Sequence, residues 1–226
     1  REAQLLAKLK NGSDEAQPIT ARPTIAQVRT GQYIVIVGTG KLLSIEDSSD
    51  GTVQSIYGLI DRMEAGATTT TAIYDNPGEK PRQGSTGANA KHFIVQQMEE
   101  IDCPVGSRFC SGTQKVMKTK SNSVVPEYNT THNGWFIDLI HAKERADVDM
   151  GLALGTLLLN AHAPTSNACD LGGVSYQYWL DYESGAAVKS PDNPDGLAGK
   201  LIGNRLVGAP AVFITGSGSP IVYTEG

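Results

Sequence analysis

Short β-prone segments follow one another along nearly the whole chain, most of them closed by glycine, proline, asparagine or aspartate, with no regular helical crossover between them. Segments 24–29 and 33–37 flank an Arg-Thr-Gly-Gln turn, and 54–61 follows a Ser-Ser-Asp-Gly turn. Segments 93–101, 114–120, 134–140, 148–154, 156–162, 174–182, 205–214 and 221–224 continue the series. This order predicts an antiparallel all-β sandwich, barrel or propeller, because parallel sheets need helical crossovers that the spacing leaves no room for. Two stretches break the rhythm. Residues 65–91, rich in Thr, Gly, Pro and Asn, read as a long surface loop. Residues 184–200, carrying Ser-Pro-Asp-Asn-Pro-Asp-Gly, read as a second loop, and neither is expected to add much to a core. The first ten residues, REAQLLAKLK, have the best helical composition but no clear N-cap, and a short strand is the alternative.

With 39% hydrophobic residues, 25 glycines and only 19% charged residues among 226, the chain can bury a sizeable core. Apolar runs reach about five residues, whereas a membrane helix needs ~20. A net charge of −5 argues against a broad footprint for nucleic acid or anionic lipid. Arg1 stands where a methionine would start a nascent chain, so a processed or truncated chain is expected. Cys103 and Cys110 enclose Pro-Val-Gly-Ser-Arg-Phe between two polar segments. A small disulfide closing a hairpin tip is preferred over two free thiols, which favours an oxidising compartment. Cys169 is left over, either buried and free or paired outside the chain.

Most candidate chemistry fails on spacing. Gly38-Thr-Gly-Lys41 lacks the Ser or Thr and the upstream glycine of a phosphate loop, having Leu42 and Val35 there, and reads as a strand-ending turn. Gly173-Val-Ser175-Tyr-Gln177 lacks the closing glycine of a nucleophile elbow, leaving Ser175 as a strand residue. His92, His132, His141 and His162 have no zinc-type spacing. Asp147 and Asp149 would share one face of a strand, a pattern open to acid–base work or calcium, though a solvated strand start explains it better. Asp192 to Asp195 reads as turn chemistry. Trp135, Trp179, Tyr176, Tyr178 and Tyr182 read as packing, with Trp179 pointing away from the tyrosine face. Asn11-Gly-Ser13 and Asn129-Thr-Thr131 match glycosylation acceptors.

Several segments taken in order carry a resemblance. Gln17-Pro-Ile-Thr-Ala-Arg-Pro23 followed by Tyr33 to Lys41, Gln54-Ser-Ile-Tyr-Gly58, Gly134-Trp-Phe-Ile-Asp-Leu139, Gly155-Thr-Leu-Leu-Leu159 with Pro164, Cys169 and Gly172-Gly-Val-Ser175, and Leu206 to Ile214 resemble the PilC/PilY-type type IV pilus tip adhesins. The resemblance implies an all-β, modified seven-bladed β-propeller that is secreted and non-enzymatic. It would be carried at the pilus tip with minor pilins, and would promote pilus biogenesis, twitching motility and attachment to host or abiotic surfaces. It also implies calcium in the full-length protein, upstream of Arg1 and on no residue of this chain. At roughly 40–45 residues per blade, residues 1–226 would be the C-terminal part of the propeller, about three or four blades. An insertion at about 64–133 would comprise loop 65–91 and hairpin 93–120, locked at its tip by Cys103 and Cys110. Gln96, Gln97, Glu99 and Glu100 opposite Lys115, Lys118 and Lys120 suggest cross-strand pairing on an exposed contact ribbon. The competing expectation is a periplasmic propeller enzyme, a hydrolase or a quinone-dependent dehydrogenase.

Overall fold

A computed structural model describes residues 4–63, 74, 92–120, 126–165, 172–190, 193–216 and 220–224. Its strands are β1 (Thr24–Gln27), β2 (Tyr33–Gly38), β3 (Ser55–Asp61), β4 (His92–Gln96), β5 (Met98–Asp102), β6 (Lys115–Thr119), β7 (His132–Asp138), β8 (Gly151–Ala153), β9 (Thr156–Pro164), β10 (Gly173–Asp181), β11 (Leu197–Gly203), β12 (Pro210–Ile214) and β13 (Pro220–Thr224). A 3-10 turn, Glu46–Ser49, lies between β2 and β3. The first sheet has the order β1-β2-β3-β7-β4 and is antiparallel except for the β4–β7 pair. The second, wholly antiparallel, runs β5-β6-β11-β10-β9-β8, and β12–β13 forms a two-stranded sheet of its own.

Period-two alternation explains where the core lies. Ile34, Ile36, Ile56, Ile60, Trp135 and Ile137 of the first sheet meet Met117, Leu157, Leu159, Tyr178 and Leu180 of the second. On its other face the first sheet buries Val37, Tyr57, Leu59, Phe93 and Phe136 beneath Leu6, Ala7, Leu9 and Tyr74. Burial on both faces accounts for the near-continuous apolar reading of β2 and β3. Residues 4–10 are not helical, and Leu6 and Leu9 among them cover the Tyr57–Phe136 face. Trp135 is fully buried between two chain segments that approach it at Gly58 and Gly185, and its Nε1 donates to the Tyr182 carbonyl at 3.0 Å.

Two other expectations change. Segment 93–101 is divided at Gln97: β4 ends in the first sheet and β5 begins in the second. The Gln97 carbonyl still accepts from Lys120 N at 2.8 Å, and the Gln96 amide donates to the Ser184 carbonyl at 2.9 Å. Polar residues thus knit the crossing between sheets, where apolar periodicity gives no signal. Residues 184–200 are not wholly a loop. Leu197 and Ala198 are buried in β11, which links β6 to β10. Gly199 lowers the apparent strand propensity of this segment, yet it is required there, because the Tyr178 ring would lie 3.0 Å or closer to a side chain at that position.

Candidate interaction surface

The hairpin β5–β6 is closed by the Cys103–Cys110 disulfide. Where the disulfide loop leaves the strands, Cys103 N donates to the Gln114 carbonyl at 2.9 Å, and the Gln114 amide donates to the Leu201 carbonyl at 3.0 Å. Glu99 lies opposite Lys118 and Asp102 opposite Lys115. The Asp102–Lys115 pair closes to 2.6 Å and Glu99–Lys120 to 3.6 Å. These exposed pairs set register more than stability. Inside the disulfide loop, Phe109 packs edge-on against Trp179, ring centroids 4.9 Å apart. Lys200 Nζ donates to the Phe109 carbonyl at 3.0 Å and lies 5.5 Å and 5.7 Å from the Phe109 and Trp179 ring centres. Cys110 is buried with Val116 and Leu197. The loop is thereby held against the second sheet while Val105 at its tip is fully exposed. A cleft of about 230 Å³ separates residues 105–108 from Asn193, Pro194 and Asp195. Replacing both cysteines by serine is expected to cost about 2 kcal/mol from the loop-closure entropy of so short a loop, read as a lower denaturant midpoint.

Among the described residues Glu100 closes no ion pair with a lysine, contrary to the ribbon reading. Its Oε2 lies 2.9 Å from His141 Nε2, on the segment that follows β7. His141 Nδ1 lies 2.8 Å from Glu144 Oε2, and the imidazole stacks on Tyr176 at 3.9 Å with an interplanar angle of 5°. Glu144 is buried and also accepts from the Tyr178 hydroxyl. Burial opposes a charge on His141, but hydrogen bonding and attraction from Glu144 and then Glu100 outweigh it and hold the imidazole above its ordinary value. Burial, reinforced by Glu144, pushes the Tyr178 hydroxyl far up. The sequence signalled none of this cluster, since its members come from β5, β10 and the β7–β8 connection.

Ser175, His162 and Asp147 come together with the composition of a hydrolytic triad. Ser175 and His162 are paired across β9 and β10, and His162 Nδ1 lies 2.7 Å from Asp147 Oδ1. The remaining polar atoms of Ser175 and His162 are spent on the backbone. Ser175 Oγ donates to the Arg205 carbonyl at 2.6 Å, and His162 Nε2 faces the Val207 carbonyl at 2.7 Å. Both side chains are buried, so the set fastens residues 205–207 to the second sheet and leaves no nucleophile facing solvent. Asp147 and Asp149 precede β8 and diverge, Asp149 going to Arg22 at 3.2 Å. They form no carboxylate pair. Asn193 builds the turn expected near Asp195, its amide donating to Val188 and Leu197 carbonyls at 2.8 Å each. Asp192, Cys169 and the 65–91 loop apart from Tyr74 lie outside the described residues. Among the described residues no three His, Cys, Asp or Glu side chains are grouped to hold a metal ion. The two glycosylation matches differ. Asn11 is buried with its amide donating to Glu15 at 2.7 Å, whereas Asn129 is exposed on a turn.

Arg145, also unmarked by any motif, is 2% exposed. Its guanidinium donates to the carbonyls of Lys143 (3.1 Å), Lys41 (2.6 Å), Asp47 (2.7 Å) and Asp50 (3.0 Å). The loop that follows the Gly38–Lys41 turn is thus wrapped around one cation. Asp47 reinforces it from within, pairing with Lys41 at 2.8 Å and accepting from Leu43 N at 2.9 Å and Ser44 N at 3.0 Å.

Mostly antiparallel sheets in succession, with a disulfide-closed hairpin at the edge of one of them, define an all-β, β-propeller-like domain. The crystal structure of the Pseudomonas aeruginosa PilY1 C-terminal domain superposes on it with a TM-score of 0.68 and 22% identity, covering 98% of this chain and 46% of that one. In sequence the chain is 28% identical over 189 residues to the type IV pilus biogenesis factor PilY1 of Pseudomonas aeruginosa (strain UCBPP-PA14). That match spans 80% of this chain and 16% of the relative. No family model matches the chain. The fold and the sequence similarity together support a PilY1-type protein, in line with the resemblance read from the segments around Gln17, Gln54 and Gly134.

Proposed function

We propose that the chain is the C-terminal part of a non-enzymatic, extracytoplasmic pilus-tip protein that serves type IV pilus biogenesis, surface attachment and twitching motility. Minor pilins and host or abiotic surfaces would be its partners, with calcium bound upstream of Arg1 in the longer protein. The observation that carries the reading is the similarity to a type IV pilus biogenesis factor over 80% of the chain. The disulfide and the absence, among the described residues, of a helix long and apolar enough to cross a membrane are compatible with it. The contact element is the disulfide hairpin, which offers an exposed Val105 on a loop that Phe109, Trp179 and Lys200 hold rigid.

Partial-propeller architecture is part of the same proposal. Phe213, Ile221 and Tyr223 are 58%, 54% and 57% exposed on the two-stranded β12–β13 sheet. The hairpin packs on β8 and β9 through its other side and leaves this apolar face uncovered, so strands from elsewhere in the longer polypeptide would complete this blade.

The test is made in the full-length protein in its piliated host, with residues 102–111 deleted or with Val105→Glu. Val105→Glu changes a side chain that packs on nothing, so the variant should fold. Both variants are expected to lower surface attachment several-fold at unchanged secretion. Unaltered attachment and pilus assembly in both would remove the hairpin from the proposal.

A further inference from the structure

The Glu100–His141–Glu144 cluster ties together parts that the fold otherwise leaves separate. Glu100 belongs to β5, the edge strand of the second sheet and one arm of the disulfide hairpin. His141 and Glu144 lie on the connection between β7 of the first sheet and β8 of the second. The groups that face the imidazole are Glu144 from its own segment, Glu100 from β5, and Tyr176 from β10, with Tyr178 of β10 behind Glu144. Both ring nitrogens point at carboxylate oxygens, at 2.8 Å and 2.9 Å. A neutral imidazole carries one N–H and can donate to only one of them; the cation donates to both. Neutralising His141 must therefore break one of the two contacts and set a nitrogen lone pair against a carboxylate. Glu144 is buried and has the Tyr178 hydroxyl to fix it in place, whereas the Glu100 side chain is 39% exposed on an edge strand and can turn to water. The contact that yields is the one to the hairpin.

We propose that His141 is a proton-dependent latch that clamps β5, and with it the disulfide hairpin, to the inter-sheet connection when charged and releases it when neutral. The direction follows from the two carboxylates. They raise the imidazole above its value in the unfolded chain. The latch is fully engaged below the ordinary histidine value, about 6.5, and is lost as pH rises through the higher folded-state value. The bearing of this latch on attachment rests on the hairpin being the contact element, but the latch itself does not.

The experiment is NMR on the intact 226-residue chain with isotope-labelled histidines, alongside amide hydrogen-exchange protection factors for β5 from pH 5.5 to 9. The His141 midpoint is expected above that of free histidine. Across that midpoint β5 protection should drop about tenfold, the factor for losing one charge-assisted hydrogen bond, while β9 stays protected. Glu100→Ala, which removes the acceptor, should lower the midpoint and leave β5 weakly protected throughout, and His141→Gln should abolish the pH dependence. A His141 titration that leaves β5 protection unchanged, or full β5 protection in Glu100→Ala, overturns the latch. A raised His141 midpoint with the coupled loss of β5 protection, combined with normal attachment in Val105→Glu, would uphold the latch and remove the contact reading instead.

Discussion

Replacing Arg145 by methionine is expected to destabilise the chain by about 3–5 kcal/mol, the range for removing one side of a buried, hydrogen-bonded charge. Methionine keeps much of the aliphatic stem, so lost packing is a minor part of the effect. What is lost is the donor set. The Asp47 carbonyl keeps the Asp50 N–H at 3.1 Å, but the carbonyls of Lys41, Asp50 and Lys143 each lose the guanidinium as a donor, and each carbonyl left dry costs about 1–3 kcal/mol. Water will reach part of the set because the 41–50 loop lies at the surface, which keeps the total below the sum. Arg145→Lys should recover little, since a single ammonium cannot span four carbonyls arranged around a planar fork. Equilibrium denaturation reads the loss as a lower midpoint at unchanged slope, and proteolytic cleavage should move to residues 41–50. A shift under about 1 kcal/mol would mean that the loop holds its shape without the arginine. The same loop carries an acid-sensitive contact. The Lys41 hydrogen bond and the Leu43 N–H hold the Asp47 carboxyl down at about 2. The contribution of Asp47 is present above the ordinary aspartate value and fades as pH falls toward 2, so loop exchange should quicken in that window and not at neutral pH.

The strands that could be read from the chain are those whose side chains alternate against a single core or carry β-branched runs. β2, β3, β7, β9 and β10 fall within two residues of their expected bounds. Tyr178 and Trp179 point to opposite faces as the period demands, one into the core and one against Phe109. What escaped was set by contacts distant in sequence. β11 reads as loop because Gly199 and Gly203 dilute it, and its place in the sheet depends on Tyr178 and Met117 lying on either side. The division between β4 and β5 turns on Gln96 and Gln97, whose partners Ser184 and Lys120 are remote in sequence from one or both of them. Helical composition in residues 1–10 lost to the chance to bury Leu6 and Leu9 on an aromatic face, an instance of packing overriding propensity. The disulfide could be expected from two cysteines at a hairpin-sized spacing, whereas the docking of its loop needed Trp179 and Lys200 from β10 and β11. Arg145 and the His141 cluster had no local signature at all. Apart from the neighbours Glu144 and Lys143, their partners are carbonyls, a carboxylate and an aromatic ring spread over several elements, and only the topology brings them together.

Gly185→Ala should be at least as damaging as many core truncations, at about 3–4 kcal/mol, although it adds one methyl group. Two costs combine. Gly185 has φ +69°, where an L-residue with a side chain loses about 1–2 kcal/mol. The added carbon would also stand 2.6 Å from Trp135 Cδ2 and 2.9 Å from Cζ3, an overlap that the indole must relieve by moving. It has nowhere to go. Its Nε1 is bonded to the Tyr182 carbonyl, and its other side faces Gly58, where even an added Cβ would lie 2.5 Å from Cε2. Overpacking in so fixed a site costs about 1–3 kcal/mol. A double-mutant cycle separates the two causes. Trp135→Leu is itself costly, by about 3 kcal/mol or more for the cavity it opens, but it removes the ring that the new methyl group would strike. In that background the penalty of the glycine change should shrink to its backbone part, about 1–2 kcal/mol. Strict additivity of the two substitutions would show that the indole is not the obstacle, and that Gly185 is required for its backbone angle alone.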